Sequence, residues 1–175
     1  MADESKGNLA AGILAGAIGG LVASWMMNLF IADAGPKIRQ VVQGMDGKQS
    51  GHGASDEMDA TMKAADAVVS TVTGGRHLSF EERQKGGPIV HYAFGALMGG
   101  VYGALAEYSP AARSGFGTVF AGLLFAGADM IAVPALKLAP VTGDQTTSSL
   151  ATPFGAHMVY GVTTECVRRL VRAAI

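Results

Sequence analysis

The feature that most constrains this chain is an uninterrupted apolar run near its start. Residues 8–32 contain no Asp, Glu, Lys or Arg. A transmembrane helix needs about 20 mainly apolar residues, because each residue adds about 1.5 Å against a hydrocarbon core of about 30 Å. Residues 1–7 lack the cationic segment with which a secretory signal begins, since Asp3 and Glu4 accompany Lys6. We therefore expect the run to be a retained transmembrane helix that ends before Pro36.

Later stretches have the length and composition of further membrane spans. Pro88 opens the second span, and Pro134 is expected to kink the third near its far end. The fourth is the most polar, because it contains His157, Thr163, Thr164 and Glu165. The predicted spans two to four are residues 88–108, 115–138 and 150–169.

The long region between the first two spans, residues 33–87, reads as amphipathic and helical. Over residues 55–73 apolar side chains recur at helical spacing, which favours a helix on the membrane surface or over the mouth of the bundle. Residues 43–54 are predicted to be a loop, and Ser79 with Glu82 has the spacing of a capping box. The predicted fold is one all-α membrane domain over residues 1–175, with about four Gly-rich transmembrane helices and a possible two-plus-two repeat.

Composition excludes several classes of function. The chain is 49% hydrophobic and 15% charged, with a net charge of -1, so that no field of either sign favours nucleic acid. Cys166 alone can form neither an intrachain disulfide nor a cysteine metal cluster. The sequence has no P-loop, nucleophile elbow, dinucleotide fingerprint or zinc motif. We therefore expect a protein that is not an enzyme and has no metal site.

Two glycine series are expected to pack helices closely. Each repeats every fourth residue and so falls on one helix face, where small residues let backbones approach within a bilayer. Such ridges predict tight pairing, either within the chain or between copies, and they favour a homo-oligomer or a subunit of a larger membrane complex. The two series are Gly12, Gly16 and Gly20, and Gly95, Gly99 and Gly103.

Three ionisable side chains inside the predicted spans are candidates for proton or ion handling. Ionisable groups are expensive within a bilayer and mark functional sites by default. If the spans alternate in direction, His91 and His157 lie at similar depth, and Asp129 approaches the same face. Such a cluster can relay protons, bind a metal, or hold haem between the two histidines. The alternative is purely structural hydrogen bonding by the same side chains.

The opposite ends of the second and fourth spans carry a different kind of cluster. Glu165 is followed one turn later by Arg168 and Arg169, a spacing at which opposite charges pair. Glu107 is expected near the same end of the bundle. These residues predict an ion pair that anchors the bundle at the membrane interface.

The third and fourth spans resemble the YagU-like inner-membrane protein family. The residues that carry the resemblance are Met130-Ile131-x-x-Pro134, Ala139-Pro140, His157 to Glu165, Arg168-Arg169 and, in the second span, Ala106-Glu107. It covers about two-thirds of the chain, but residues 33–87 have no counterpart and Asp129 stands where that family carries a histidine. The resemblance implies an inner-membrane location and a contribution to acid tolerance, and it supplies no reaction.

The charge distribution adds an orientation and leaves the function open. The arginines at the end of the fourth span favour both termini in the cytoplasm.

The leading hypothesis is a small inner-membrane bundle that acts as an oligomer or complex subunit. The alternatives are a proton- or ion-handling transporter using Asp129, His91 and His157, and a haem-binding redox subunit.

Overall fold

The computed structural model describes residues 8–46, 54–138 and 147–175, and within those ranges the ordered elements are helical. A 3-10 segment, Pro110–Gly117, connects α3 to α4, and a π-helical turn, Ala128–Ala132, connects α4 to α5. The α-helices are α1 (Leu9–Asp46), α2 (Ala54–Thr73), α3 (Phe80–Tyr108), α4 (Thr118–Gly127), α5 (Val133–Ala135) and α6 (Thr147–Ala174).

Three of the described helical stretches are long and apolar enough to cross a membrane, judged by length and composition. They are Leu9–Val42, Phe80–Tyr108 and Pro110–Ala135. Large apolar side chains cover their outer surfaces, as Leu14, Leu97 and Leu123 illustrate with exposures of 53%, 61% and 69%. An apolar exterior around small buried residues is the arrangement expected for helices surrounded by lipid.

Helix α1 continues well beyond its predicted end. It runs through Pro36 to Asp46, although Pro36 removes one backbone hydrogen bond. Gly35 is buried, and a Cβ there would lie 3.2 Å from the methyl group of Thr152 on α6. Packing against α6 thus stabilises this part of the helix. Residues 43–46, predicted to be loop, are helical, and residues 47–53 of that prediction lie outside the described residues.

Helix α3 begins at Phe80 and not at Pro88 as predicted. The capping box is confirmed: the Ser79 side chain accepts from the N–H of Glu82, and the Glu82 side chain accepts from the N–H of Ser79. The first turns of α3 then pack on α2, where a Cβ on Gly86 would lie 3.0 Å from Cβ of Ala65. Capping and this contact place Pro88 inside the helix.

The third predicted span is irregular at both ends. Ser114, Gly115 and Phe116 have non-helical dihedral angles, so that regular helix begins at Thr118 and not at Gly115. Before Pro134, the N–H of Val133 donates to the carbonyl of Ala128 in the wider π-helical pattern. A π-helical turn that contains Asp129 thus precedes Pro134, where the sequence predicted a kink.

Helix α1 is the centre of the bundle. It packs on both α3 and α6, while α2 packs on α3 and α4 packs on α6. Gly12 faces Gly103 and Gly20 faces Gly95, so that α1 and α3 are antiparallel. Gly19 faces Thr164 and Gly35 faces Thr152, so that α1 and α6 are antiparallel as well. Helices α3 and α6 therefore run in the same direction.

Candidate functional site

A cavity of about 280 Å³ lies between α1, α2, α3, the π-helical turn and α6. Its walls are mainly apolar, with Phe94, Leu124 and Val133 among them, and Ala60 and Ala64 of α2 cover one side. The structure brings His91, Asp129 and His157 to this one cavity. The polar side chains in the walls are Ser24, Thr61, His91, Asp129, His157 and Tyr160.

Asp129 and His157 form the electrostatic centre of the cavity. The His157 Nδ1 and the Asp129 Oδ2 are 3.5 Å apart, and their side chains are 7% and 30% exposed, respectively. The π-helical turn presents Asp129 from one side, and the Phe125 ring packs on the imidazole from α4 with centroids 5.4 Å apart. The carboxylate is thus the more accessible member of the pair.

The hydrogen bonding of His157 fixes which of its nitrogens can exchange a proton. Its Nδ1 lies 3.0 Å from the carbonyl oxygen of Pro153. A carbonyl only accepts, so that Nδ1 must carry the hydrogen and donate it. The other ring nitrogen, Nε2, is then the atom that gains or loses a proton when the imidazole changes charge.

Two further groups in the cavity wall are buried and have no hydrogen-bond partner among the residues that the structure describes. They are the Nε2 of His91 and the Oγ of Ser24, whose residue is only 1% exposed. Buried polar atoms in native structures are usually paired, and each exception calls for an explanation. Both residues line the cavity, where a bound molecule can supply the missing partner.

The same side chains do not form a metal site. Across residues 8–46, 54–138 and 147–175, no group of three His, Cys, Asp or Glu side chains converges closely enough to hold a metal ion. The volume of the cavity, about 280 Å³, lies just below the range of about 300–1,000 Å³ that is usual for small-ligand sites. Haem held between His91 and His157 stays a prediction.

The two glycine series lie against each other. A Cβ added at Gly16 would collide with the carbonyl oxygen of Gly99, and one added at Gly103 would collide with that of Gly12. Gly20 and Gly95 make the equivalent approach one turn further along. Both ridges are therefore used within the chain, so that they no longer argue for a contact between copies. Self-association stays a prediction.

Glu165 is the centre of a second polar cluster, at the other end of the bundle from the cavity. Its side chain is fully buried and accepts hydrogen bonds from Arg168 at 2.7 Å and from Arg169 at 2.6 Å. Tyr102 of α3 donates a third bond at 2.9 Å. The guanidinium of Arg169 also lies 4.5 Å from the centre of the Phe116 ring. We call this group, with Glu107 and Arg172, the arginine–glutamate cluster.

Glu107 extends the cluster from α3 to α1. It accepts from Arg172 of α6 at 2.7 Å and from the backbone N–H of Asn8 at 3.1 Å. Arg168 lies 3.8 Å from Glu107 and so stands between the two carboxylates. The first described residue of the chain and the end of α6 therefore lie at the same end of the bundle.

Several of these residues were not predicted as partners. Arg172 and Tyr102 reach across from one helix to a carboxylate on another, which spacing along one helix does not reveal. The sequence does carry a signal for the tyrosines, because Tyr-Gly-x-x-x-Glu occurs at Tyr102 and again at Tyr160. Tyr160 donates to the carbonyl of Gly95 at 2.6 Å, so that both tyrosines connect α3 to α6.

A polar corner joins α2, which is not one of the candidate spans, to the first turn of α3. Asp66 accepts from the backbone N–H of Leu78 at 2.6 Å, and its carboxylate lies 3.0 Å from Nδ1 of His77 and 3.2 Å from Arg83. The hydrogen bond with His77, followed by that from Leu78, lowers the pKa of Asp66 below its ordinary value. The corner thus ties α2, which lines one side of the cavity, to the start of α3.

One family of proteins matches this chain. A family model described as "Protein of unknown function (DUF1440)" matches residues 68–166. The match includes His91, Asp129 and His157 and leaves out α1 with its glycine series. No curated protein and no solved structure matches the chain.

Proposed function

Because this chain belongs to the DUF1440 family of proteins of unknown function, we propose its function from the cavity: the protein takes up and releases protons, or a cation in their place, at Asp129 and His157. The observation that carries the proposal is the contact of 3.5 Å between an acidic and a basic side chain in a mainly apolar cavity. A charged carboxylate there requires a partner, and a proton or a cation supplies one.

The proposal includes α6 as a fourth crossing. The helix has 28 residues, which at about 1.5 Å each exceed the hydrocarbon core of about 30 Å. Its low hydropathy has a structural cause, since Thr152, His157, Thr164, Glu165 and Arg168 are buried inside the bundle and away from lipid. Such inward-facing polar groups are tolerated in membrane helices.

We place the protein in the cell inner membrane with both termini in the cytoplasm. The arginine–glutamate cluster, with Arg168, Arg169 and Arg172, then faces the cytoplasm, in agreement with the excess of basic residues on that side of membrane proteins. The cavity and α2 face the opposite side. Uptake of protons from outside fits the acid tolerance that the YagU-like resemblance implies.

Proton flux into proteoliposomes tests the proposal. The purified protein is reconstituted around a pH-sensitive dye, and a pH gradient is imposed together with a potassium diffusion potential. We expect flux above that of empty vesicles, and we expect Asp129→Asn to abolish it. Asp33→Asn is the matched control, because this carboxylate is 83% exposed on α1 and is not among the residues that line the cavity. A parent protein without flux overturns the proposal.

A further inference from the structure

The cavity combines one accessible carboxylate with apolar and aromatic walls. Among its described lining residues there is no Lys or Arg that could neutralise Asp129. The Nδ1 of His157 is shared with the carbonyl of Pro153, which is closer at 3.0 Å than the carboxylate at 3.5 Å. A cation bound in the cavity would give an ionised Asp129 a partner that it does not share with a backbone carbonyl.

From this arrangement we infer that the cavity binds a lipophilic organic cation, such as a hydrophobic amine or a quaternary ammonium compound, in exchange for a proton on Asp129. The inference rests on the proposed function, because it assigns the second ligand of the same carboxylate. The apolar walls accept the hydrocarbon part of such a molecule. The carboxylate, together with the rings of Phe94 and Tyr160, attracts its positive charge.

Unsatisfied polar atoms in the wall support a ligand of this kind. Ser24 Oγ and His91 Nε2 are buried and have no hydrogen-bond partner. They can accept from the N–H groups of a protonated amine once it occupies the cavity, whereas a quaternary ammonium ion has no N–H and is held by its charge and its apolar surface alone. The volume of about 280 Å³ is sufficient for a compact molecule with one aromatic ring.

The exchange conserves the charge of the site. One cation enters as one proton leaves the carboxyl group, so that no net charge is added to a mainly apolar cavity. The titratable side chains that face Asp129 are His91 from α3 and His157 and Tyr160 from α6. The wall residues contributed by α1 and by the described part of α2 are not titratable.

Benzyltrimethylammonium is a suitable probe, because its charge is permanent and neopentylbenzene has the same shape without the charge. We would measure the binding of benzyltrimethylammonium to the purified protein by calorimetry in detergent at several pH values, together with the number of protons released. We expect about one proton per cation and an affinity that rises about tenfold per pH unit wherever the empty carboxyl group is protonated. Neopentylbenzene should not compete.

Variants separate this inference from general effects on folding. Asp129→Asn should lose binding, Asp129→Glu should keep pH-dependent binding, and Asp33→Asn should bind as the parent does. Absence of binding, competition by neopentylbenzene, or parent-like binding by Asp129→Asn overturns the inference. Proton flux without cation binding would refute the inference and leave the proposed function standing. Cation binding with proton release but without flux would leave the exchange at Asp129 standing and would overturn the movement of protons across the membrane.

Discussion

The hydroxyl of Tyr102 donates a hydrogen bond of 2.9 Å to Oε2 of Glu165, and both side chains are completely buried. The bond joins α3 to α6, which meet mainly through long side chains and not through their backbones. Tyr102 thus supplies a neutral donor to a carboxylate that already accepts from two arginines. The stability of the cluster depends on all three donors.

Removal of this hydroxyl should destabilise the protein. For Tyr102→Phe we expect a loss of about 1–3 kcal/mol, because a buried bond to a charged acceptor is lost. Unfolding in mixed detergent micelles, followed by circular dichroism, measures the change. Tyr92→Phe is the control, since its hydroxyl is joined only to exposed Asn28 at 3.4 Å, and we expect a change within about 0.5 kcal/mol. Equal effects of the two variants would contradict the prediction.

Neutralisation of Glu165 should be more damaging. Glu165→Gln leaves Arg168, whose side chain is 6% exposed, without its main partner, and we expect a loss of about 3–5 kcal/mol. Adding Arg168→Met should restore part of the loss, because it removes the unpaired charge. Asp33→Asn breaks an exposed pair with Lys37 and should cost about 0–1 kcal/mol. If the double variant is less stable than Glu165→Gln, the unpaired charge is not the cause.

A single methyl group should disrupt the packing of α1 on α3. In Gly99→Ala the new Cβ collides with the backbone of Gly16, which cannot move without separating the helices, and we expect a loss of about 1–3 kcal/mol or more. Gly127→Ala is the matched control, because no atom lies within 4 Å of its added Cβ. Its greater helix propensity should stabilise the protein by up to about 1 kcal/mol. Thermal unfolding of both variants and of the parent protein in the same detergent measures the two changes in stability.

The α2–α3 corner should loosen in acid. Because the folded state lowers the pKa of Asp66, the carboxylate stabilises the corner fully above its ordinary value of 3.8, and this stabilisation is lost as the pH falls below that value. Spin labels at positions 72 and 84, in a Cys166→Ala background, report the distance between α2 and α3. We expect a broader distance distribution below about pH 4.

Asp66→Asn provides the comparison for that measurement. Its amide cannot reproduce the charge that faces His77 and Arg83, so that the distribution should already be broad at pH 6 and should change little on acidification. A parent-like pH response in Asp66→Asn would mean that another group causes the loosening.

Some of these relationships follow from the sequence and others do not. Alternating helix directions and the spacing of His91 and His157 after Pro88 and Pro153 indicate that both imidazoles lie at one depth, and the structure has them in one cavity. The continuation of α1 through Pro36 was not foreseeable, because it depends on a contact with Thr152 far along the chain. A proline such as Pro36 disfavours helix at only a few residues, whereas tertiary packing stabilises the helix along its whole length.

The sequence likewise does not reveal which side chains pair between different helices. The spacing of Glu165, Arg168 and Arg169 reveals their pairing on one helix turn. The pairing of Glu107 with Arg172 spans 65 residues, and no local pattern connects them. The sequence does not reveal that the Ser24 hydroxyl is buried without a partner, because Ser24 only extends the series of small residues on α1. The packing of α1 against Gly95 is what buries this hydroxyl.

The central position of α1 has a consequence for biosynthesis. Its partner α3 leaves the ribosome early, so that the two glycine series can meet while the rest of the chain is still being made. Its other partner, α6, is translated after α1 to α5, and only then can Tyr102 bond to Glu165 and Glu107 bond to Arg172. Until α6 is synthesised, the face of α1 that packs on α6 in the folded protein stays uncovered. A truncated chain that lacks α6 should therefore remain a target for the quality-control proteases of the membrane.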